Sequence, residues 1–81
     1  MKLQFKNNVY GFVYDSTYGE ITEVLTKPVT ETEARFFNDH SGDVVMFTDI
    51  DSITEIWDLN DGEHDPEYIK EYWGDILEVV Q

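Results

Sequence analysis

Residues 65–81 read DPEYIKEYWGDILEVVQ, and the fold turns on how this stretch is read. Asp65 suits an N-cap, and Pro66 suits the first helical position, where its missing N–H is not needed. Ile69, Tyr72, Trp73, Ile76 and Val80 recur at three- and four-residue steps, the spacing of one buried helical stripe. The pattern predicts a C-terminal helix over about 66–80. On that helix Glu67, Glu71, Asp75 and Glu78 follow at steps of four, four and three, which would set four carboxylates along one face.

Upstream of this stretch, Asn60-Asp61-Gly62-Glu63-His64 is a loop. Residues 51–59 carry two signals. Their β-branched content suits a strand, whereas the spacing of Ile53, Ile56 and Trp57 suits a helix, with Ser52 and Glu55 placed as a capping box. A short helix over 52–59 is the reading adopted. Val44 to Thr48 is a strand. Val29-Thr30-Glu31-Thr32-Glu33-Ala34 opens a helix in which Thr30 and Glu33 form a capping box, with Val29 and Ala34 spaced as a hydrophobic staple. That helix runs to about Asp39, turns Ala34, Phe36 and Phe37 inward, and is stopped by Ser41-Gly42.

The N-terminal third reads as β structure. Residues 2–6 and 9–14 are taken as two strands around a turn at Asn7-Asn8, because asparagine tolerates the positive φ of tight turns. Residues 15–19 form a loop, and Ile21 to Leu25 a third strand, which completes a short antiparallel meander. The expected class is α+β: a small antiparallel sheet of about four strands packed against two or three short helices, with residues 1–81 as one domain.

Composition bounds what such a domain does. Apolar residues make up 41% of the chain and aromatics 15%, which separates it from a disordered acidic tail. There is no cysteine, so disulfides, thiolate nucleophiles and cysteine zinc sites are excluded. The segment MKLQFKNNVYGF lacks the apolar run of a signal peptide, and no stretch approaches the roughly 20 apolar residues of a membrane span. A cytoplasmic location is expected.

The formal charge is −13, from 18 acids against 5 bases. Small domains stay soluble at a net charge of about 2–8 in magnitude, and more costs stability through self-repulsion. Residues 1–38 hold five acids and four bases, a net −1; residues 39–81 hold thirteen acids and only Lys70, a net −12. The acids interleave with Val44, Val45, Phe47, Ile53, Ile56, Trp57, Ile69 and Trp73, so the charge is displayed on a folded scaffold. The candidate partner-binding residues are Asp49, Asp51, Glu55, Asp58, Asp61, Glu63, Asp65, Glu67, Glu71, Asp75 and Glu78.

Catalytic and metal signatures do not emerge. From Asp58, an EF-hand count puts Gly62 at position five and Ile69 at position twelve, against the glycine at six and glutamate at twelve that the loop requires. His40 and His64 lack companion ligands at metal spacing, and there is no phosphate-binding glycine loop. No catalytic residue, metal or cofactor is expected. Direct nucleic-acid binding needs lysine and arginine to release counterions, and this charge opposes it.

In size, acidity and α+β pattern the chain resembles the phage-encoded DNA-mimic inhibitors: the uracil-DNA glycosylase inhibitor, anti-restriction proteins and anti-CRISPR proteins. The resemblance carries no individual functional residue over. It implies a non-catalytic inhibitor that occupies the basic nucleic-acid site of a DNA- or RNA-acting enzyme. One such target is a Cas9-type effector, which reads its target-adjacent motif with arginines and holds nucleic acid in a positive channel. Two other readings stand beside it. One is an immunity protein that covers a toxic nuclease. The other is an acidic adaptor or structural domain, dimerising through the aromatic hairpin around Tyr10, Phe12 and Tyr14.

Overall fold

The computed structural model describes residues 2–59 and 66–80. In chain order they form β1 (Lys2–Phe5), β2 (Gly11–Asp15), β3 (Glu20–Leu25), α1 (Glu31–His40), β4 (Val44–Phe47), α2 (Ile50–Ile56), α3 (Pro66–Trp73) and β5 (Leu77–Val80). The class is α+β, as the sequence implied. Among the described residues, however, the strands make two antiparallel sheets: β1–β5, and a three-stranded sheet in the order β3-β2-β4. The chain divides into two compact units, residues 1–7 with 49–81, and residues 8–48.

The 8–48 unit is built on β2, which pairs with β3 on one side and β4 on the other. The β2–β3 turn is set by Asp15, whose carboxylate accepts the Thr17 N–H at 2.9 Å in an Asx-type turn. Asp43 clamps the same turn: its carbonyl accepts the Ser16 N–H at 2.9 Å and its carboxylate accepts the Thr17 hydroxyl at 3.0 Å. Gly11, at φ 145°, lies so close to β4 that a Cβ there would meet the Phe47 carbonyl oxygen at 2.2 Å. Phe12, Val13 and Leu25 are buried, and the Phe12 ring lies 5.4 Å from that of Phe47.

The expected capping box of α1 is present. The Glu33 N–H donates to Thr30 Oγ1 at 3.1 Å, and the Thr30 N–H donates back to Glu33 Oε1 at 3.4 Å. Asn38 docks the helix on β4, accepting the Met46 N–H at 2.7 Å and donating to the Met46 carbonyl at 3.2 Å. Ala34 is buried as expected, but Phe36 is 65% exposed rather than turned inward, its ring stacked on His40 at 4.2 Å. A helix of ten residues resting on a single strand has a narrow buried face. Ala34 holds that face, and Phe36, two residues further along the helix, lies well away from it.

The other unit buries Leu3, Ile53, Leu59, Ile69, Trp73, Ile76 and Leu77, with the Trp57 and Trp73 rings edge to face at 5.2 Å. The 51–59 segment is helical, as read, over Ile50–Ile56. Its N-cap is Asp49 rather than Ser52: the Asp49 carboxylate accepts the Asp51 N–H at 3.2 Å and the Ser52 hydroxyl at 3.0 Å. Aspartate takes the capping role as well as serine does, and the earlier cap brings Ile50 and Asp51 into the helix. Asp58, at φ 58°, then ends it, and the Leu59 N–H closes on the Thr54 carbonyl at 2.9 Å.

Two expectations are overturned. The C-terminal helix does not run to 80; it stops at Trp73, and the chain turns through Gly74-Asp75-Ile76 into β5. A Cβ on Gly74 would lie 2.3 Å from the Lys70 carbonyl oxygen, so the turn requires glycine. Beyond it, Leu77-Glu78-Val79-Val80 offers β-branched side chains and finds a partner in β1. The predicted buried stripe is cut accordingly. Ile69 and Trp73 are its helical part, Ile76 is buried from the turn, Val80 belongs to β5, and Tyr72 is 65% exposed.

The second correction concerns β1. It forms no hairpin with the next strand. Asn8 does take the positive φ expected of it, at 68°, but the chain leaves the sheet there, and β2 begins only at Gly11. β1 pairs instead with β5, Lys2 opposite Val80 and Phe5 opposite Leu77. The count of about four strands in one sheet becomes five in two.

Candidate partner-binding surface

The eleven candidate carboxylates all belong to the 1–7/49–81 unit, and each element positions a few. On α2, Asp49 is the N-cap, and Asp51 and Glu55, four residues apart, share a helix face; Asp58 lies in the turn that follows. On α3, Glu67 and Glu71 share a face in the same way. Asp75 sits in the turn after Gly74, and Glu78 in the middle of β5, where it accepts a hydrogen bond from the Gln4 amide of β1. Asp61, Glu63 and Asp65 lie outside the described residues, as does the predicted Asp65 cap.

The four-carboxylate row is therefore not one helical face. The structure keeps Glu67 with Glu71, and places Asp75 and Glu78 on separate elements. What survives is exposure: all eight described candidates are solvent-facing. Asp49 is engaged in capping and Glu78 in its bond to Gln4. Among the described residues, no side-chain hydrogen bond or ion pair is made by the carboxylates of Asp51, Glu55, Asp58, Glu67, Glu71 or Asp75. The ion pair recorded there, Glu31 with Arg35 at 3.0 Å, is on α1.

The fold also redraws the charge boundary. The 1–7/49–81 unit holds eleven acids against Lys2, Lys6 and Lys70, a net −8; the 8–48 unit holds seven acids against Lys27 and Arg35, a net −5. The −1/−12 split along the sequence is softened because residues 1–7 bring two lysines to the acidic end, while Asp39 and Asp43 stay with the other unit. Asp43 is in any case a structural carboxylate, given its bond to Thr17.

Three features escaped the sequence reading. Tyr68 and Tyr72, their rings 4.8 Å apart, lie one turn apart on α3 beside the Glu67/Glu71 pair; their spacing of four residues was the available signal. An open apolar groove of about 650 Å³ runs along α1, lined by Val29, Phe36, Phe37 and Met46 with His40 and Glu33 at its margin. A smaller cavity of about 280 Å³ lies between α3 and β5, with Lys6 and Lys70 among its walls. Nothing in the sequence relates Lys6 to Lys70 until β1 is known to pair with β5.

No family model, curated protein or solved structure matches this chain. Among the described residues, no helix is long and apolar enough to cross a membrane.

Proposed function

We propose that this chain is a non-catalytic acidic inhibitor whose exposed carboxylates occupy the basic nucleic-acid site of a DNA- or RNA-acting enzyme, in the manner of an anti-CRISPR protein blocking a Cas9-type effector. The observation that carries this reading is the set of six exposed carboxylates on α2, α3 and the turns after them that no described side chain neutralises. Like charges four residues apart weaken a helix by a few tenths of a kcal/mol each, and a surface selected for stability alone would interleave lysines. With the long row broken, the mimicry is of charge density rather than of one straight strand. The carboxylates form short pairs on two helices, set beside exposed Tyr72.

Inhibition is by competition, with fast association that added salt slows. The protein works in the cytoplasm, that of the host cell if it is phage-encoded. The test is affinity capture from the native host at low and high ionic strength. Nucleic-acid enzymes recovered at low salt and released at high salt are expected. Partners of another kind, or retention indifferent to salt, would refute the reading. Recovery of a nuclease encoded beside this chain would identify an immunity protein instead.

A further inference from the structure

We propose that the apolar groove along α1 receives an amphipathic helix of a partner protein, whose apolar stripe seats on Phe36, Phe37 and Met46 and whose lysines or arginines face Glu33 and Asp39. This surface belongs to the 8–48 unit and does not depend on the carboxylates of the reading above.

Val29, Phe37 and Met46, all half-buried, line the groove together with Phe36, which is 65% exposed. Its volume of about 650 Å³ falls within the roughly 300–1,000 Å³ of ligand sites. An exposed ring continuous with an apolar groove marks an interaction surface, and methionine supplies a side chain that adapts to its occupant. The backbone decides which kind of segment fits. β4 runs beside α1, and its outer edge is closed. Asn38 bonds both the N–H and the C=O of Met46, and the Val44 N–H donates to the Ser41 carbonyl at 3.3 Å. An added strand finds no open row there. A segment in the groove must satisfy its own backbone, as a helix does. The lengths agree: α1 has ten residues, about 15 Å, and the i, i+4 and i+7 anchors of a docked helix span about 10 Å.

Charge selects the partner. Glu33 and Asp39 lie three residues before and three after Phe36, so the ring has a carboxylate one turn away on each side, and both acids are exposed. The capping box engages Glu33 through Oε1 alone and leaves its charge in place. Among the described residues the Asp39 carboxylate makes no hydrogen bond or ion pair. The unit sets Lys27 and Arg35 against seven acids, and Arg35 is already paired with Glu31 at 3.0 Å. An apolar groove flanked in this way complements a basic amphipathic helix. A second copy of this chain is a poor occupant. Two such grooves face to face would bring the Glu33 and Asp39 carboxylates of both chains together, and each chain carries a net charge of −13.

The probes are three fluorescein-labelled, terminally blocked peptides on an alanine background, each longer than about 15 residues so that a helix can form. The first has leucines at i, i+4 and i+7 with lysines flanking that stripe. The second replaces the lysines by glutamates, and the third replaces the leucines by alanines. Each is titrated into the full chain and followed by fluorescence anisotropy. The leucine–lysine peptide should bind about tenfold or more tightly than either of the others. The third peptide has the same charge as the first, so it separates seating in the groove from mere attraction to an acidic chain. Phe36→Ala removes a ring that the fold leaves exposed, and should weaken the leucine–lysine peptide about tenfold. Glu33→Gln/Asp39→Asn keeps a residue that can close the capping box, and should erase most of the preference for lysine over glutamate. The proposal is overturned by absence of saturable binding of the leucine–lysine peptide at millimolar concentration, by equal binding of the leucine-free peptide, or by affinity that survives Phe36→Ala. It is equally overturned if sedimentation of the chain alone shows a dimer that Phe36→Ala dissolves, since the occupant would then be a second copy.

Discussion

Gly74 is the residue on which the C-terminal third pivots. Its conformation does not demand glycine through a positive φ; the demand is spatial, because a Cβ would press to 2.3 Å on the carbonyl oxygen of Lys70, which as backbone cannot swing aside. Gly74→Ala should lower stability by about 1–3 kcal/mol, the range for forced overpacking, seen as a lower urea midpoint. An unchanged midpoint would mean that the turn relaxes at no cost. Asn38 makes a different kind of contribution, satisfying both the N–H and the C=O of Met46. Asn38→Ala should cost about 1 kcal/mol, toward the low end for a lost hydrogen-bond partner because water reaches this exposed site; the same urea titration checks it. At this scale the sequence is unevenly legible. Thr30 and Glu33 announced their capping box because both partners are local. Asp49 and Ser52, three residues apart, offer the same capping chemistry, and only the helix's true start distinguishes them.

At the scale of elements, local signals were legible and the long-range pairing was not. The β2–β3 hairpin, α1 and the helical nature of 50–56 follow from turn residues, caps and periodicity. The stretch 74–80 deceived because Ile76 and Val80 continue the helical spacing of Ile69 and Trp73, while Leu77-Glu78-Val79 also alternates as a strand does. What decides is β1, more than seventy positions away, which needs a partner and finds it in β5. Amide hydrogen exchange tests this directly. Glu78 and Val80 N–H groups face β1 and should be protected, whereas that of Val79, a part-exposed residue, points away from β1 and should exchange much faster. A helix through 80 would instead protect all three in a graded series that frays only toward its end. Alternation along Glu78–Val80 supports the ribbon, and a smooth gradient contradicts it.

At the scale of the whole molecule, the charge total was plain in the composition, but its distribution over folded units was not, because lysines from the N-terminus join the acidic C-terminal segment. A chain of net −13 with a single ion pair among its described residues repels itself, and it presents the same carboxylates to any basic partner. These two roles respond to salt in opposite directions, so one reagent separates them. Raising potassium chloride from about 0.01 to 1 M shortens the screening length from about 30 to 3 Å; the urea midpoint of the free protein should rise while capture of its partner falls. Charge reversal makes the same separation within the chain. In Glu71→Lys, Glu67 acquires a lysine four residues on, in the favourable orientation, and α3 should gain a few tenths of a kcal/mol rather than lose stability. Partner capture at low salt should nevertheless drop by about tenfold, since reversing one close contact at a charged interface costs more than 1.4 kcal/mol. A variant that is at least as stable as the parent yet binds more weakly would show that Glu71 is spent on the partner and not on the fold. Undiminished capture, together with the gain in stability, would mean that α3 carries its acids for solubility alone.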